Sequence, residues 1–256
     1  NSIVQQSIEK KTDLNIISVC DLPVGVINKM ADILKIKPKQ LEVDYVGLNH
    51  LGWYTGLYHQ GQDKLKQVLN NIEKLELGVD GNLIRNLGAV PVPYLKYYYH
   101  HQQQVKKAQQ KDTLRAKELL ATGEKIKQEL AADPTQIPEI IYQRGAIWYS
   151  DVIVPLIAAL QNDQPRKFIL NIANQGLIPE LDDEVIIEVP AVVNSSRIKP
   201  LEVTEIPAQL KGIISQEANF RNLATKAAIT DSDRDILRAL IANPQVPSYE
   251  LAENLL

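Results

Sequence analysis

The 256-residue chain has a single cysteine, Cys20, so no internal disulfide can form. That scarcity fits a reducing compartment, and the simple expectation is a cytoplasmic protein. No apolar run approaches the roughly 20 residues that a membrane-spanning helix requires, and no signal-peptide pattern is present. Neither sign of charge dominates: 28 Lys and Arg face 31 Asp and Glu, a formal net charge of -3. Nucleic acid and anionic membrane surfaces are therefore not expected as partners. Neither a G-x-G-x-x-G loop nor a P-loop occurs, so a nucleotide would need its phosphate cradle from outside this chain. Repeats, low-complexity segments and obvious linkers are also missing. What remains is ordinary globular composition, 45% hydrophobic and 23% charged, in a chain long enough for one large domain or two small ones.

The chain opens Asn1-Ser2-Ile3-Val4, without an initiator Met, and runs at once into a helical pattern over 3–11. A strand-like run, Leu14 to Val19, follows. This order looks like the middle of an alternating α/β unit, and the expectation is a piece of a longer protein lacking an N-terminal domain. Helical spacing of Val26, Met30, Ile33 and Leu34 predicts a helix closed by Pro38. Alternation at Leu41, Val43 and Tyr45 predicts a strand to Leu48, paired in a hairpin with a second strand over 53–58, then a turn at Gly61-Gln62-Asp63. An amphipathic helix is expected over 63–76, a Tyr-rich helix after Pro91 and Pro93, and a charged helix over 113–132. A helix apolar nearly all round, hence buried, is expected over 152–160. Strands over 167–173 and 185–189 should form a hairpin or meander, followed by helices over 207–225, 231–242 and 248–256.

Two segments concentrate the chemistry. Cys20 lies in Ser18-Val19-Cys20-Asp21-Leu22-Pro23, and His50, one of four histidines, lies in Gly47-Leu48-Asn49-His50-Leu51-Gly52-Trp53. Thiolate and imidazole are a mixed soft and borderline donor pair for a divalent transition metal. A lone buried Cys and a lone His also serve as packing residues, and two ligands do not close a metal site. Of the tyrosines in Pro93-Tyr94-Leu95-Lys96-Tyr97-Tyr98-Tyr99, the default reading is aromatic packing with hydroxyls turned outward. Arg115, on a polar helix, reads as a surface residue.

Taken together with Arg144-Gly145-Ala146, Asn171-Ile172-Ala173-Asn174-Gln175-Gly176 and Glu188-Val189-Pro190, these segments resemble glycoside hydrolase family 4 across nearly the whole chain. That family comprises 6-phospho-glucosidases and their relatives, which use NAD and a divalent metal, typically manganese, and which depart from the two-carboxylate scheme of most glycosidases. The resemblance implies an α+β fold similar to the C-terminal domain of lactate and malate dehydrogenases, with mixed helices and antiparallel strands. It implies that NAD is held mainly by an N-terminal Rossmann domain outside this chain. It assigns the metal to Cys20 and His50, the catalytic base to Tyr94, a proton-donor position to Asp21, and substrate contacts to Arg115 (phosphate) and Asn49. An Asp at position 21 matches the phospho-α-glucosidases, whereas the overall pattern is closer to the phospho-β-glucosidases, which usually carry Asn there.

The implied substrate is a phosphorylated disaccharide or other 6-phospho-glucoside. Oxidation at C3 of the sugar acidifies the C2 proton, and the metal stabilises the developing enediolate as a Lewis acid. Tyr94 would remove that proton, although its free pKa near 10 demands a neighbouring positive charge. The chain alone is expected to be inactive, and a homodimer or homotetramer is expected, with the apolar terminal helices as interface. Besides another member of the same family, such as a 6-phospho-α-glucosidase or other α-glycosidase, two further readings stay open. One is a lactate- or malate-type dehydrogenase, which would need a His-Asp pair and carboxylate-binding arginines. The other is a non-catalytic assembly module.

Overall fold

The computed structural model describes residues 2–144 and 149–256, so Gly145-Ala146 of the Arg144-Gly145-Ala146 motif lies outside the described residues. Seven strands form one sheet: β1 (Glu42–Leu48), β2 (Leu51–His59), β3 (Gln62–Asp63), β4 (Val90–Pro91), β5 (Arg166–Ala173), β6 (Ile186–Val193) and β7 (Ile198–Pro200). The order is β3-β2-β1-β6-β5, with β4 on β2 and β7 on β6, and every pairing is antiparallel. The helices in chain order are α1 (Ser2–Glu9), α2 (Asp21–Leu34), α3 (Leu65–Leu69), α4 (Gly81–Leu87), α5 (Lys96–Tyr99), α6 (His101–Gln109), α7 (Arg115–Ala132), α8 (Val154–Gln161), α9 (Ala208–Thr230), α10 (Asp233–Ala242) and α11 (Tyr249–Leu255). The expected mixture of helices and antiparallel strands is therefore present. Among the described residues no helix is long and apolar enough to cross a membrane.

Strands β2 and β6 are buried on both faces along most of their length. One core gathers Val26 and Met30 of α2, Trp53, Tyr54 and Leu57 of β2, and Leu210 and Ile214 of α9. A second, smaller cluster packs Val152, Leu156 and Ala159 against Leu170, Ala191 and Val193. Central strand β6 serves both, and its burial is nearly continuous, as expected for a strand covered on each side.

Several local expectations differ from the structure. Leu14–Val19 is not a strand; it makes one isolated bridge, Ser18 to Asn171. The side chain of Gln5 takes the Ile16 carbonyl at 2.8 Å, where a neighbouring strand would have donated. The helix expected over 63–76 stops at Leu69 and resumes as a 3-10 turn over Ile72–Leu75. Its interruption is Asn70-Asn71, and Asn71 donates its amide to the Gln67 carbonyl, a local bond that competes with helix continuation. The expected turn falls one residue earlier, at Gln60-Gly61, both at positive φ, so Gln62–Asp63 can pair back on β2. The apolar helix over 152–160 is not buried all round: Val154 and Ile157 are exposed.

The β1–β2 hairpin is unusually demanding sterically. A Cβ on Gly52 would collide with the Tyr45 hydroxyl, which donates to Glu188 at 2.5 Å. Gly52→Ala should therefore destabilise the protein by about 2–3 kcal/mol through overpacking. A urea unfolding midpoint indistinguishable from wild type would show that Tyr45 can move aside freely.

Candidate active site

Cys20 occupies the N-cap position of α2, with extended backbone and no side-chain cap hydrogen bond. It is buried. Burial pushes its thiol up to about 12, the nearby Glu188 carboxylate adds to that rise, and hydrogen bonds from the Leu22 backbone and the Asn49 side chain only partly oppose it. A thiol held this way needs a cation to become a thiolate at neutral pH. Asp21, the first residue of α2, is exposed and its Oδ1 accepts from Cys20 Sγ at 3.8 Å.

Asn49 and His50 form the two-residue turn between β1 and β2, with Leu48 paired to Leu51. His50 has φ 70, in the left-handed region. Such a conformation in a non-glycine residue persists only where the surroundings over-determine it. Here they do so from two sides. The Asn49 amide donates to Glu188 Oε1 at 3.2 Å, and the Asn49 carbonyl accepts from Arg221 Nη2 at 2.6 Å. His50 stays exposed at the rim, yet the surrounding protein desolvates its imidazole and, with positive charge including Arg221, holds its pKa down to about 4. A neutral imidazole is the form that ligates a metal. Replacing His50 by Gly should leave the fold about 1 kcal/mol more stable than replacing it by Ala, because only Gly accepts this φ without strain. Equal urea midpoints for the two variants would show that the turn is relaxed.

Beneath the turn lies Glu188, 1% exposed on β6, where the register sets it opposite Gly47 on β1 and Asn171 on β5. Tyr45, Asn49 and Asn171 all donate to its carboxylate. Burial raises its pKa, and those three bonds and the Arg221 charge pull it back only in part. Arg221 on α9 is held in turn: Nε donates to Glu217 at 2.9 Å and Nη1 to Ser2 at 2.8 Å.

Tyr94, in the 3-10 turn Pro93–Leu95, sets its ring edge to face against His50, centroids 4.5 Å apart. Its pKa is raised by burial first and then by the negative charges available to Cys20 and other neighbours, including Asp21. Cys20, Asp21, His50 and Tyr94 thus converge around the Asn49-His50 turn, although 74 residues separate the first from the last by number. Asn49 also belongs to this cluster, but it is 3% exposed and engaged inside the protein, so it holds the turn rather than reaching outward. Arg115 is not brought to the cluster. It begins α7, a helix that buries none of its residues, and pairs with Glu118 at 3.0 Å.

Among the described residues no group of three or more His, Cys, Asp or Glu is arranged to hold a metal. Cys20 and His50 therefore offer a two-donor, open set. That set fits a metal whose other positions are filled by substrate and water, and does not fit a closed structural site. Glu188, Arg221, Glu217, Tyr45 and Asn171 were given no role by the sequence. One available signal was Glu188, a lone carboxylate inside the apolar strand run Ile186-Ile187-Glu188-Val189, because a charge in a buried strand must be partnered.

Residues 45–246 match the model of the family 4 glycosyl hydrolase C-terminal domain. The chain belongs to family 4 of the glycosyl hydrolases. Among family 4 relatives, a 6-phospho-beta-glucosidase of Thermotoga maritima is 28% identical over 248 residues, which is 94% of this chain and 59% of that protein. A phospho-alpha-glucosidase of Clostridium acetobutylicum is 27% identical over 269 residues, 95% of this chain and 60% of that protein. This family 4 chain therefore spans about three-fifths of the length of such relatives. A structure of the Thermotoga maritima 6-phospho-beta glucosidase with NAD and glucose-6-phosphate superposes at TM-score 0.88 and 25% identity, covering 99% of this chain and 62% of that one. Another structure of that enzyme holds manganese as well. A lactate dehydrogenase from a deep-sea metagenome library shares the fold alone, at TM-score 0.50 and 11% identity over 90% of this chain and 61% of that one. The expected likeness to dehydrogenase C-terminal domains is thereby borne out.

Proposed function

We propose that this chain is the metal-holding and proton-transferring part of a 6-phospho-glucosidase that acts on 6-phospho-β-glucosides. The observation that carries the reading is the convergence of Cys20, His50, Asp21 and Tyr94 around one braced turn. Relatives that act on phosphorylated glucosides supply the substrate class.

When bound, manganese or a similar divalent ion supplies Lewis acidity to substrate oxygens, and NAD supplies a reversible oxidation of the sugar. Cys20 and His50 are the residues that would hold the metal. No glycine-rich cradle for NAD occurs in the sequence, so we assign no residue here to it and place its binding in another part of a longer protein. Tyr94 Oη receives the substrate proton. Its raised pKa makes it a poor base unaided, so positive charge at the Cys20–His50 pair is what would let the phenolate form. The family resemblance, rather than its position on the exposed helix α7, makes Arg115 our phosphate anchor. Its exposed pair with Glu118 contributes under about 1 kcal/mol, and a phosphate dianion would displace it. We further propose a homodimer or homotetramer, with exposed Ile241, Leu251 and Leu255 on α10 and α11 at the interface.

A second reading is favoured by one residue. Asp21 is exposed beside the Cys20 thiol, where a carboxylic acid could protonate a leaving group on the α face. Assay of the full-length protein on 6-phospho-β- and 6-phospho-α-glucosides, each with and without NAD and manganese, decides between them. Cleavage of the β-anomer that needs both additions is the expected result. Preference for the α-anomer would transfer the proton-donor role to Asp21, and cleavage of neither would overturn the reading.

A further inference from the structure

We infer that the cleft beside His50 receives the uncharged leaving group of the substrate, and that Tyr97 and Gln245 help to select it; this rests on the 6-phospho-glucosidase reading. The cleft has a volume of about 230 Å³. It begins at His50 and Tyr94, the two residues of the cluster that reach the surface there, and extends to Tyr97, Tyr98 and Gln245. Arg221, Glu217 and the apolar Leu51 and Leu95 complete its lining.

The Arg221–Glu217 pair decides which end of the substrate fits. Glu217 accepts from Nε, Ser2 from Nη1 and the Asn49 carbonyl from Nη2, so each guanidinium nitrogen already donates. The two side chains are only 7% and 12% exposed. A phosphate entering here would find the Arg221 guanidinium already committed and would meet the Glu217 carboxylate beside it. The Arg221–Glu217 pair therefore adds no net charge to the cleft and offers a phosphate no anchor, which favours a 6-phosphate held elsewhere. What the cleft does offer is aromatic surface and neutral hydrogen-bonding groups. Tyr94 and Tyr97 are 39% and 42% exposed, their ring centroids 5.8 Å apart, and exposed Gln245 shares the lining with them. Lys96, which does not line the cleft, steadies Tyr97 with its ammonium 5.1 Å from the ring centroid. Ring faces for C–H surface and amide or phenol groups for hydroxyls suit a neutral sugar or an aromatic alcohol. Because His50 and Tyr94 form one wall, a group lodged there adjoins the bond being broken.

The test uses the full-length protein with NAD and manganese. It compares wild type, Tyr97→Ala and Gln245→Ala on a phosphorylated disaccharide and on the methyl 6-phospho-glucoside of the same anomer. Both side chains are exposed, and a thermal melt checks that each variant is folded. Tyr97→Ala should lower the disaccharide-to-methyl ratio of kcat/KM roughly tenfold, as expected for losing one aromatic contact, mainly through KM for the disaccharide. Gln245→Ala should lower it by a smaller factor in the same direction. If wild type cleaves both substrates and both variants keep the wild-type ratio, the leaving-group assignment is wrong and the broader reading stands. If wild type cleaves neither, both fall together.

Discussion

Cys20→Ala and His50→Ala, each made in the full-length protein, should lower kcat/KM on a 6-phospho-glucoside by about three orders of magnitude or more. A Lewis acid is worth several kcal/mol of charge stabilisation in a transition state, and each variant removes one of only two protein donors we assign to the metal. The double variant should be little worse than either single one, because residues acting as a unit do not add. Neither change should unfold the protein. His50 is exposed, and Cys20 makes few polar bonds whose loss would leave a partner stranded. Steady-state kinetics with saturating NAD and manganese, beside circular dichroism of each variant, measures both points. Loss of less than tenfold in either variant would remove that residue from the metal site.

The second large effect concerns stability. Glu188→Ala should cost about 4 kcal/mol, far above an ordinary substitution, because three buried donors each lose a bond, Asn171 alone keeping a second one to the Ser18 carbonyl, and a cavity opens in the central strand. Tyr45→Phe should cost about 2 kcal/mol, since only one charge-assisted bond goes and the carboxylate keeps Asn49 and Asn171. The ordering of the two urea midpoints is the informative result. Were Glu188→Ala no worse than Tyr45→Phe, the carboxylate would not be the anchor of the turn. Its loss should also weaken metal binding about tenfold, as removal of a group supporting a ligand does.

How much of this was legible in the sequence differs by level. The β1–β2 hairpin was readable because alternation over 41–48 met a polar two-residue turn, and the β5–β6 pair because two apolar runs flanked Asn174-Gln175-Gly176. The segments that failed were those whose backbone partners are side chains. Gln5 satisfies the Ile16 carbonyl and Asn71 the Gln67 carbonyl, and no periodicity announces either bond. Helix α8 was read as buried all round because Val154 and Ile157 are as apolar as their neighbours; hydrophobicity alone does not say which face meets the sheet.

The candidate site divides in the same way. Cys20, His50 and Tyr94 stood out by rarity and by resemblance, and the structure gathers them. The groups that brace them did not stand out. Arg221 sits in α9, where an arginine four residues after Glu217 reads as a surface pair, yet that pair is buried and grips the Asn49 carbonyl. Only the fold, by laying α9 beside the hairpin turn, reveals it.

Manganese binding by the full-length protein, followed through the electron paramagnetic resonance signal of the free ion, tests the central claim most directly. Wild type should silence the signal in a saturable titration, with Cys20→Ala and His50→Ala, both folded, binding at least tenfold more weakly. Equal binding by wild type and both variants would contradict a metal site at Cys20 and His50.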